Sequence, residues 1–279
     1  MARLRRIVSL ILSAYLLFVL AVVIFQRKLL FFPTRQAEPE IVAMAAQIGL
    51  EAWRDEAGTI IGWKRAGQSS KRAAHKLLVF HGNAGNAVFR EDYLRSFEAL
   101  EDGGKWEVWL AEYPGYGARP GSPGREAFRE AGRQAVAKLQ ALDSRPLFLL
   151  GESLGSGVAA ELAGDPANRI AGVILVTPFA RLAEVAQEKF PILPAWFIVR
   201  DRWDNRQALA GFHGPVAVLI AEADEVVGAK QGEELFAALR EPKRCRRFPE
   251  AQHNDPDIHG AEWAPEVSAF LLQNVTGKP

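Results

Sequence analysis

The sequence predicts an α/β fold, with a mostly parallel, twisted sheet covered by helices on both faces and preceded by one N-terminal transmembrane helix. Three observations predict it. Short apolar runs alternate with longer segments of helical spacing, as in parallel sheets whose strands are joined by helices. A glycine–serine pentapeptide separates one such run from a helical segment. The chain also starts with a long uncharged stretch.

The uncharged stretch, residues 7–25, is the first element. It lies between Arg6 and Arg27 and consists mainly of leucine, isoleucine, valine and phenylalanine. About 19 residues with a rise of about 1.5 Å each span about 28 Å, close to the hydrocarbon thickness of a bilayer. Ala21 precedes a run without the small-residue cleavage site of a signal peptide, so we expect an uncleaved anchor. The arginines before it favour a cytoplasmic N-terminus, which places the following domain on the non-cytoplasmic side.

We therefore divide the chain into a membrane anchor at 1–28, a linker at 29–47 and an α/β domain at 48–279. The domain is long enough to bury one large core. The whole chain of 279 residues is 49% hydrophobic and has a net charge of +1, from 34 basic and 33 acidic residues. This balance gives no basic excess that would indicate nucleic-acid binding. The single cysteine, Cys245, cannot form an intramolecular disulfide.

The strands follow from the apolar runs. Residues 50–54 and 59–64 flank a turn and predict an antiparallel hairpin. The run 77–80 is continuously apolar, which is typical of a strand buried on both faces of a parallel sheet. The later strands are predicted at 77–80, 107–112, 147–150, 171–176, 216–220 and 245–248.

The helices follow from spacing and from start signals. Ser122 followed by Pro123 predicts a capped helix start, because proline fits the first helical position. The predicted helices are 88–100, 122–142, 156–163, 229–240 and 263–272. The connection 178–215 is longer than the others and rich in aromatic residues. It predicts either a lid over a pocket or helices packed on the sheet.

The pentapeptide Gly151-Glu152-Ser153-Leu154-Gly155 carries the chemistry. It follows an apolar strand and precedes a helix, so Ser153 would lie on a sharp turn with its hydroxyl exposed. Glycines on both sides remove side chains that would collide there. The helix N-terminus behind the serine favours developing negative charge. We interpret Ser153 as a nucleophile.

A serine nucleophile needs a base and an acid that orients the base. His253 lies in a turn-rich loop after the last predicted strand, with His259 as the alternative base. Asp224 directly follows the strand at 216–220 and is the preferred acid. Glu222 and Asp204 remain alternatives for the acid.

A tetrahedral intermediate also needs donors for its oxyanion. The backbone N–H of Leu154 directly follows the nucleophile. The backbone N–H of Asn83 lies in a loop after the strand at 77–80, where Gly82 allows close approach. An ordinary tight turn is the alternative interpretation of that loop. The position of the loop between a core strand and a helix favours an oxyanion hole.

The order of these motifs resembles the alpha/beta-hydrolase superfamily. The motifs are 81–86 (His-Gly-Asn-Ala-Gly-Asn), 113–117 (Tyr-Pro-Gly-Tyr-Gly), 151–155, 224–227 and 253–254. The chain is most similar to the branch of membrane-anchored serine hydrolases related to the protein depalmitoylases, and the resemblance spans about residues 29–270.

The resemblance implies a hydrolase fold and a catalytic triad of Ser153, Asp224 and His253. It also implies an oxyanion hole from Asn83 and Leu154, and a structural role for 113–117. Ala221 departs from the pattern, since a glycine usually stands before the acid loop.

Together these features predict a serine hydrolase that cleaves a carboxylic ester or thioester through an acyl-enzyme. The expected substrate is a small-molecule or lipid-like acyl compound, and the expected membrane contact is the N-terminal helix. No cofactor or metal is expected, because the sequence lacks an H-E-x-x-H motif and a phosphate-binding glycine loop. The alternatives are a serine peptidase of the same fold and a non-catalytic membrane-anchored scaffold.

Overall fold

An eight-stranded sheet organises the structure, a computed structural model that describes residues 1–67, 73–100 and 106–276. The order across the sheet is β10-β9-β8-β7-β4-β6-β3-β2. β3 runs antiparallel to both of its neighbours, and all other neighbouring pairs are parallel. The strands are β1 (Phe32–Pro33), β2 (Leu50–Arg54), β3 (Ile60–Arg65), β4 (His75–Phe80), β5 (Ala84–Gly85), β6 (Trp106–Ala111), β7 (Leu147–Glu152), β8 (Gly172–Val176), β9 (Val216–Ala221) and β10 (Lys243–Phe248).

The helices cover both faces of this sheet, so the predicted fold class and the N-terminal apolar helix are confirmed. The helices are α1 (Ala2–Leu30), α2 (Glu38–Gln47), α3 (Glu91–Glu98), α4 (Arg125–Leu142), α5 (Leu154–Gly164), α6 (Leu182–Lys189), α7 (Ala195–Ile198), α8 (Asn205–Leu209), α9 (Ala229–Ala238), α10 (Pro256–His259) and α11 (Ala264–Thr276). The long connection between β8 and β9 therefore contains three short helices, α6 to α8.

The start of α4 differs from the prediction. The helix begins at Arg125, and Gly124 rather than Ser122 stands at its N-cap. The carboxylate of Asp201, from the long connection, accepts a hydrogen bond from the Arg125 N–H at 2.8 Å. A distant side chain thus provides the capping acceptor that sequence reasoning assigned to a local serine.

Two apolar layers hold the sheet between the helices. Along β4, Leu78 and Phe80 point into one layer, and Leu77 and Val79 point into the other, as the period of two for a strand requires. The first layer lies under α4 and α5. The second lies under α3 and α11. Every residue of β7 is buried, which places the residue after it at the carboxyl edge of a rigid central strand.

The first helix stands apart from this core. None of the 29 residues of α1 is buried, and the helix is long and apolar enough to cross a membrane. The segment after α1, in contrast, is in contact with the domain. β1 pairs with β5, Phe31 packs edge-on against Phe128 at 5.4 Å between ring centroids, and Ile41 and Ala45 are fully buried. The expected linker is thus packed on the α/β domain, while the division of the chain at residues 28 and 47 stays a prediction.

Truncation of Phe128 is expected to destabilise the fold strongly. The ring is fully buried and stacks on Tyr113 at 4.1 Å between centroids. Phe128→Ala should lower the free energy of unfolding by about 3–5 kcal/mol, since it removes a large buried side chain. The control is Leu142→Ala on the same helix, where the side chain is 56% exposed. Chemical unfolding of both variants in detergent checks this, and equal midpoints would contradict it.

Candidate active site

Ser153 lies at the turn between β7 and α5. Its backbone has φ 49° and ψ −115°, a strained conformation for a residue with a side chain. Two glycines allow the turn. A Cβ atom at Gly155 would lie 2.1 Å from the carbonyl oxygen of Phe80, and one at Gly151 would lie 2.5 Å from the carbonyl oxygen of Gly155. The Ser153 N–H donates to the Val176 carbonyl at 2.8 Å, which fixes the turn to β8.

The structure brings the three predicted catalytic side chains together. Nε2 of His253 lies 2.9 Å from Oγ of Ser153. Nδ1 of the same ring lies 2.7 Å from Oδ2 of Asp224. The histidine and the aspartate are 7% and 9% exposed, so the hydrogen bond between them is buried, while the bond to the serine is partly buried. The arrangement can move a proton from the hydroxyl to the imidazole and stabilise the resulting imidazolium.

Asp224 is held by its own loop. Its Oδ1 accepts hydrogen bonds from the N–H groups of Val226 at 2.8 Å and Val227 at 2.9 Å. Burial opposes ionisation of this carboxyl. The hydrogen bonds and charge of His253, together with the two backbone donors, outweigh burial, and the pKa of Asp224 is lowered from its ordinary value. The group is therefore a carboxylate at neutral pH, as a partner for imidazolium requires.

The alternative acids and the alternative base lie elsewhere. Asp204 pairs with Arg181 and caps α8 through the Gln207 N–H. Glu222 pairs with Arg247 at the surface. Nδ1 of His259 lies 2.8 Å from the Tyr93 hydroxyl, whereas it is His253 that is hydrogen-bonded to the serine.

The predicted oxyanion loop lies against Ser153. A Cβ atom at Gly82 would be 3.5 Å from the Cβ of Ser153. The side chain of Asn83 turns away and donates from Nδ2 to the Leu30 carbonyl at 2.7 Å. The Phe32 N–H donates back to the Asn83 carbonyl at 3.0 Å. The end of α1 is thus bonded directly to this loop.

The motif at 113–117 supports the same loop from behind. The Tyr113 hydroxyl donates to the His81 carbonyl at 2.9 Å, and the Tyr116 hydroxyl donates to the Asn83 carbonyl at 2.8 Å. Both rings are buried. Two backbone carbonyls of the loop are therefore fixed by buried phenols, which keeps its N–H groups in a constant position.

Sequence reasoning missed a buried charge beside Ser153. Glu152 is 2% exposed and forms an ion pair with Arg90, whose Nη2 lies 2.8 Å from Oε1. Burial opposes ionisation, but the charge and hydrogen bonds of Arg90 dominate and lower the pKa of Glu152 to about 2. Nδ1 of His259 lies 4.0 Å from the same carboxylate. A charged residue at the end of a fully buried strand is the signal that could have indicated such a partner.

A surface depression of about 650 Å³ lies away from these residues, between α4, α5 and α8. Arginines of α4 line it, among them Arg125 and Arg129, which pair with Glu161 and Glu126. Its cations are thus already neutralised at these positions, and it contains none of the predicted catalytic side chains.

The fold and this geometry define the class of the protein, and the chain belongs to the alpha/beta hydrolase family. Residues 76–207 match the family model described as the alpha/beta hydrolase fold. An uncharacterised protein of Mycobacterium tuberculosis, Rv2307c, is 32% identical over 276 residues, which cover 96% of this chain and 93% of that protein.

Two further comparisons agree with the family. The alpha/beta hydrolase domain-containing protein WAV2 of Arabidopsis thaliana is 29% identical over 208 residues, covering 67% of this chain and 66% of WAV2. The structure of the Pyrococcus furiosus esterase Pf2001 superposes with a TM-score of 0.61 at 16% identity, covering 88% of this chain and 99% of the esterase. The structural likeness shows the fold.

The buried Glu152 carboxylate predicts a pH-dependent difference in stability. Because the pKa of Glu152 is lowered from 4.5 to about 2, the carboxylate stabilises the folded protein above about pH 4.5. This stabilisation is lost as the pH falls towards 2. Between pH 6 and pH 3 the free energy of unfolding of the wild type should fall by about 2 kcal/mol more than that of Glu152→Gln. Urea unfolding across this range measures the difference. Glu51→Gln, at a partly exposed pair with Lys64, is the control and should change the pH dependence of the free energy of unfolding less than Glu152→Gln does.

A constant difference between the wild type and Glu152→Gln at every pH would contradict this interpretation. It would mean that the ion pair with Arg90 does not lower the pKa of Glu152 in the folded protein.

Proposed function

We propose that this protein is a membrane-anchored serine hydrolase that cleaves a carboxylic ester or thioester through an acyl-enzyme. One observation carries the proposal: the hydrogen-bonded chain from the Ser153 hydroxyl through His253 to Asp224, set on a strained turn at the carboxyl edge of β7. Family membership and the esterase among the structural neighbours support the same reaction type.

In the proposed reaction, Oγ of Ser153 attacks the acyl carbon while Nε2 of His253 takes the hydroxyl proton. The tetrahedral intermediate collapses, the bond to the leaving alcohol or thiol breaks, and the imidazolium returns its proton to that group. A water molecule then attacks the acyl-serine and transfers a proton to the same imidazole. The bond between the acyl carbon and Oγ of Ser153 breaks, Oγ takes that proton back, and the carboxylic acid is released. Asp224 selects the tautomer with a proton on Nδ1 and stabilises the imidazolium.

The oxyanion is proposed to accept hydrogen bonds from the backbone N–H groups of Leu154 and Asn83. Leu154 is the first residue of α5, where backbone N–H groups lack partners within the helix. The closeness of Gly82 to Ser153 supports the second donor. Each such donor typically contributes about 2.7–4 kcal/mol to transition-state stabilisation.

The membrane anchor is proposed to be α1, and the connection between α1 and the site favours lipid-like substrates. The last carbonyl of the helix, at Leu30, is bonded to the side chain of Asn83. The end of the helix therefore adjoins the proposed oxyanion hole. A site held this close to a bilayer meets acyl chains that partition into lipid.

Loss of the proposed nucleophile should abolish both labelling and turnover. We expect the wild type to react with a fluorophosphonate probe and to hydrolyse p-nitrophenyl esters. Ser153→Ala should not be labelled, and its turnover should fall on the order of 10⁴-fold or more, since the triad acts as a unit. The controls are Ser122→Ala, at an exposed loop position, and His213→Asn, outside the site. A folded wild type that the probe does not label would instead support a non-catalytic scaffold.

The chain-length preference tests the lipid-like substrate. With p-nitrophenyl esters from acetate to octanoate and longer, kcat/KM should rise with chain length, because each added CH₂ that is buried contributes about 0.8 kcal/mol. The measurement is steady-state hydrolysis below the critical micelle concentration of each ester. A preference for acetate would refute lipid-like substrates and leave the serine mechanism intact.

A further inference from the structure

We propose that the docking segment, residues 190–199, inserts into the membrane beside α1 and is a second membrane contact of this protein. The segment follows α6 and includes α7. This proposal rests on α1 spanning the membrane and does not depend on Ser153 being the nucleophile. The proposed partner is the hydrocarbon of the lipid leaflet next to the C-terminal half of α1.

The docking segment exposes large apolar side chains in one short stretch. Phe190, Ile192, Trp196 and Phe197 are 59%, 67%, 43% and 84% exposed. Apolar side chains scattered singly are ordinary on a protein surface, but a contiguous group of this size marks an interaction site. Leu193 and Ala195 lie between these residues in sequence and are buried. The segment is therefore anchored to the domain while its outer side chains stay exposed.

Hydrogen bonds join the docking segment to α1. The Tyr15 hydroxyl donates to the Ile192 carbonyl at 2.8 Å. Nε2 of Gln26 donates to the Ile198 carbonyl at 3.1 Å, and its Oε1 accepts from the Arg200 N–H at 2.8 Å. Tyr15 and Gln26, two polar residues of the largely apolar α1, thus form hydrogen bonds with the docking segment.

The backbone of the docking segment is suited to hydrocarbon. A backbone carbonyl in lipid must find a partner within the protein, because no water is available. Side chains of the protein supply these partners: Gln187 donates to the Pro191 carbonyl, and Arg202 donates to the carbonyls of Phe197 and Val199. Pro191 and Pro194 have no backbone N–H to satisfy.

The contact length indicates the depth of insertion. The points of contact on α1 run from Tyr15 to Gln26, and 11 steps of about 1.5 Å amount to about 16 Å, roughly one leaflet. A segment bonded to Tyr15 cannot remain in water if α1 crosses the bilayer. Exposed basic residues lie at both ends of the docking segment, Lys189 before it and Arg200 and Arg202 after it. Such positions suit the phosphate groups of the lipid interface.

Insertion would bring the membrane to both sides of the proposed catalytic centre. Nζ of Lys189, next to the docking segment, donates to the carbonyl of Glu225, the residue after Asp224. On the other side, Leu30 at the end of α1 holds the Asn83 side chain. An acyl chain leaving the leaflet would therefore meet the site without crossing bulk water.

Depth-dependent quenching in vesicles tests the insertion. The full chain carries Cys245→Ser and Phe197→Cys, is labelled with the fluorophore NBD, and is reconstituted into vesicles of phosphatidylcholine and phosphatidylglycerol. The control carries Leu142→Cys instead, at the end of α4, where the native side chain is also exposed. The label at 197 should emit at shorter wavelength and be quenched severalfold by doxyl groups on the lipid chains. The label at 142 should be unaffected.

Three outcomes overturn the proposal. If the protein floats with the vesicles but the label at 197 behaves like the label at 142, the docking segment lies in water. If the label at 197 is shielded from aqueous iodide without quenching by doxyl lipids, protein covers the segment. If the protein does not float, α1 is not an anchor.

Ile192→Cys provides a second labelling position in case the first disturbs the segment. Fluorophosphonate labelling of the same samples reports separately on the proposed catalytic function. Its failure would leave the quenching result unchanged.

Discussion

The site depends on the close packing of the turn between β7 and α5. The strand and the helix can meet at this angle only because Gly151 and Gly155 carry no side chains, and the backbone of Ser153 adopts a strained conformation as a result. This turn fixes the direction of the Ser153 hydroxyl. The histidine and the aspartate come from loops after other strands and need only reach that fixed point. A rigid scaffold thus allows three residues distant in sequence to meet.

Much of the fold could be predicted from the sequence, because its signals are local. Short apolar runs indicated most of the parallel strands, and the pentapeptide indicated the turn. Ser153, His253 and Asp224 were chosen from chain order and loop position, and His253 lies within hydrogen-bonding distance of both other side chains. Their catalytic role stays a proposal.

Long-range contacts could not be predicted in the same way. The start of α4 was wrong because its capping acceptor is Asp201, far away in sequence. Arg90 was not recognised as the partner of Glu152 for the same reason, since nothing in the local pattern distinguishes a surface arginine from one that neutralises a buried carboxylate. The bonds between α1 and the docking segment join residues more than 170 positions apart.

The position of Asp201 limits how the chain can be shortened for solution work. Its carboxylate is 3% exposed and binds both the Arg125 N–H and the guanidinium of Arg27, at 2.9 Å from Nε. A soluble fragment that begins after Arg27 would leave a shielded negative charge without its cation, which is strongly unfavourable. Trimming should therefore retain the last turn of the first helix, even when the apolar residues before it are removed.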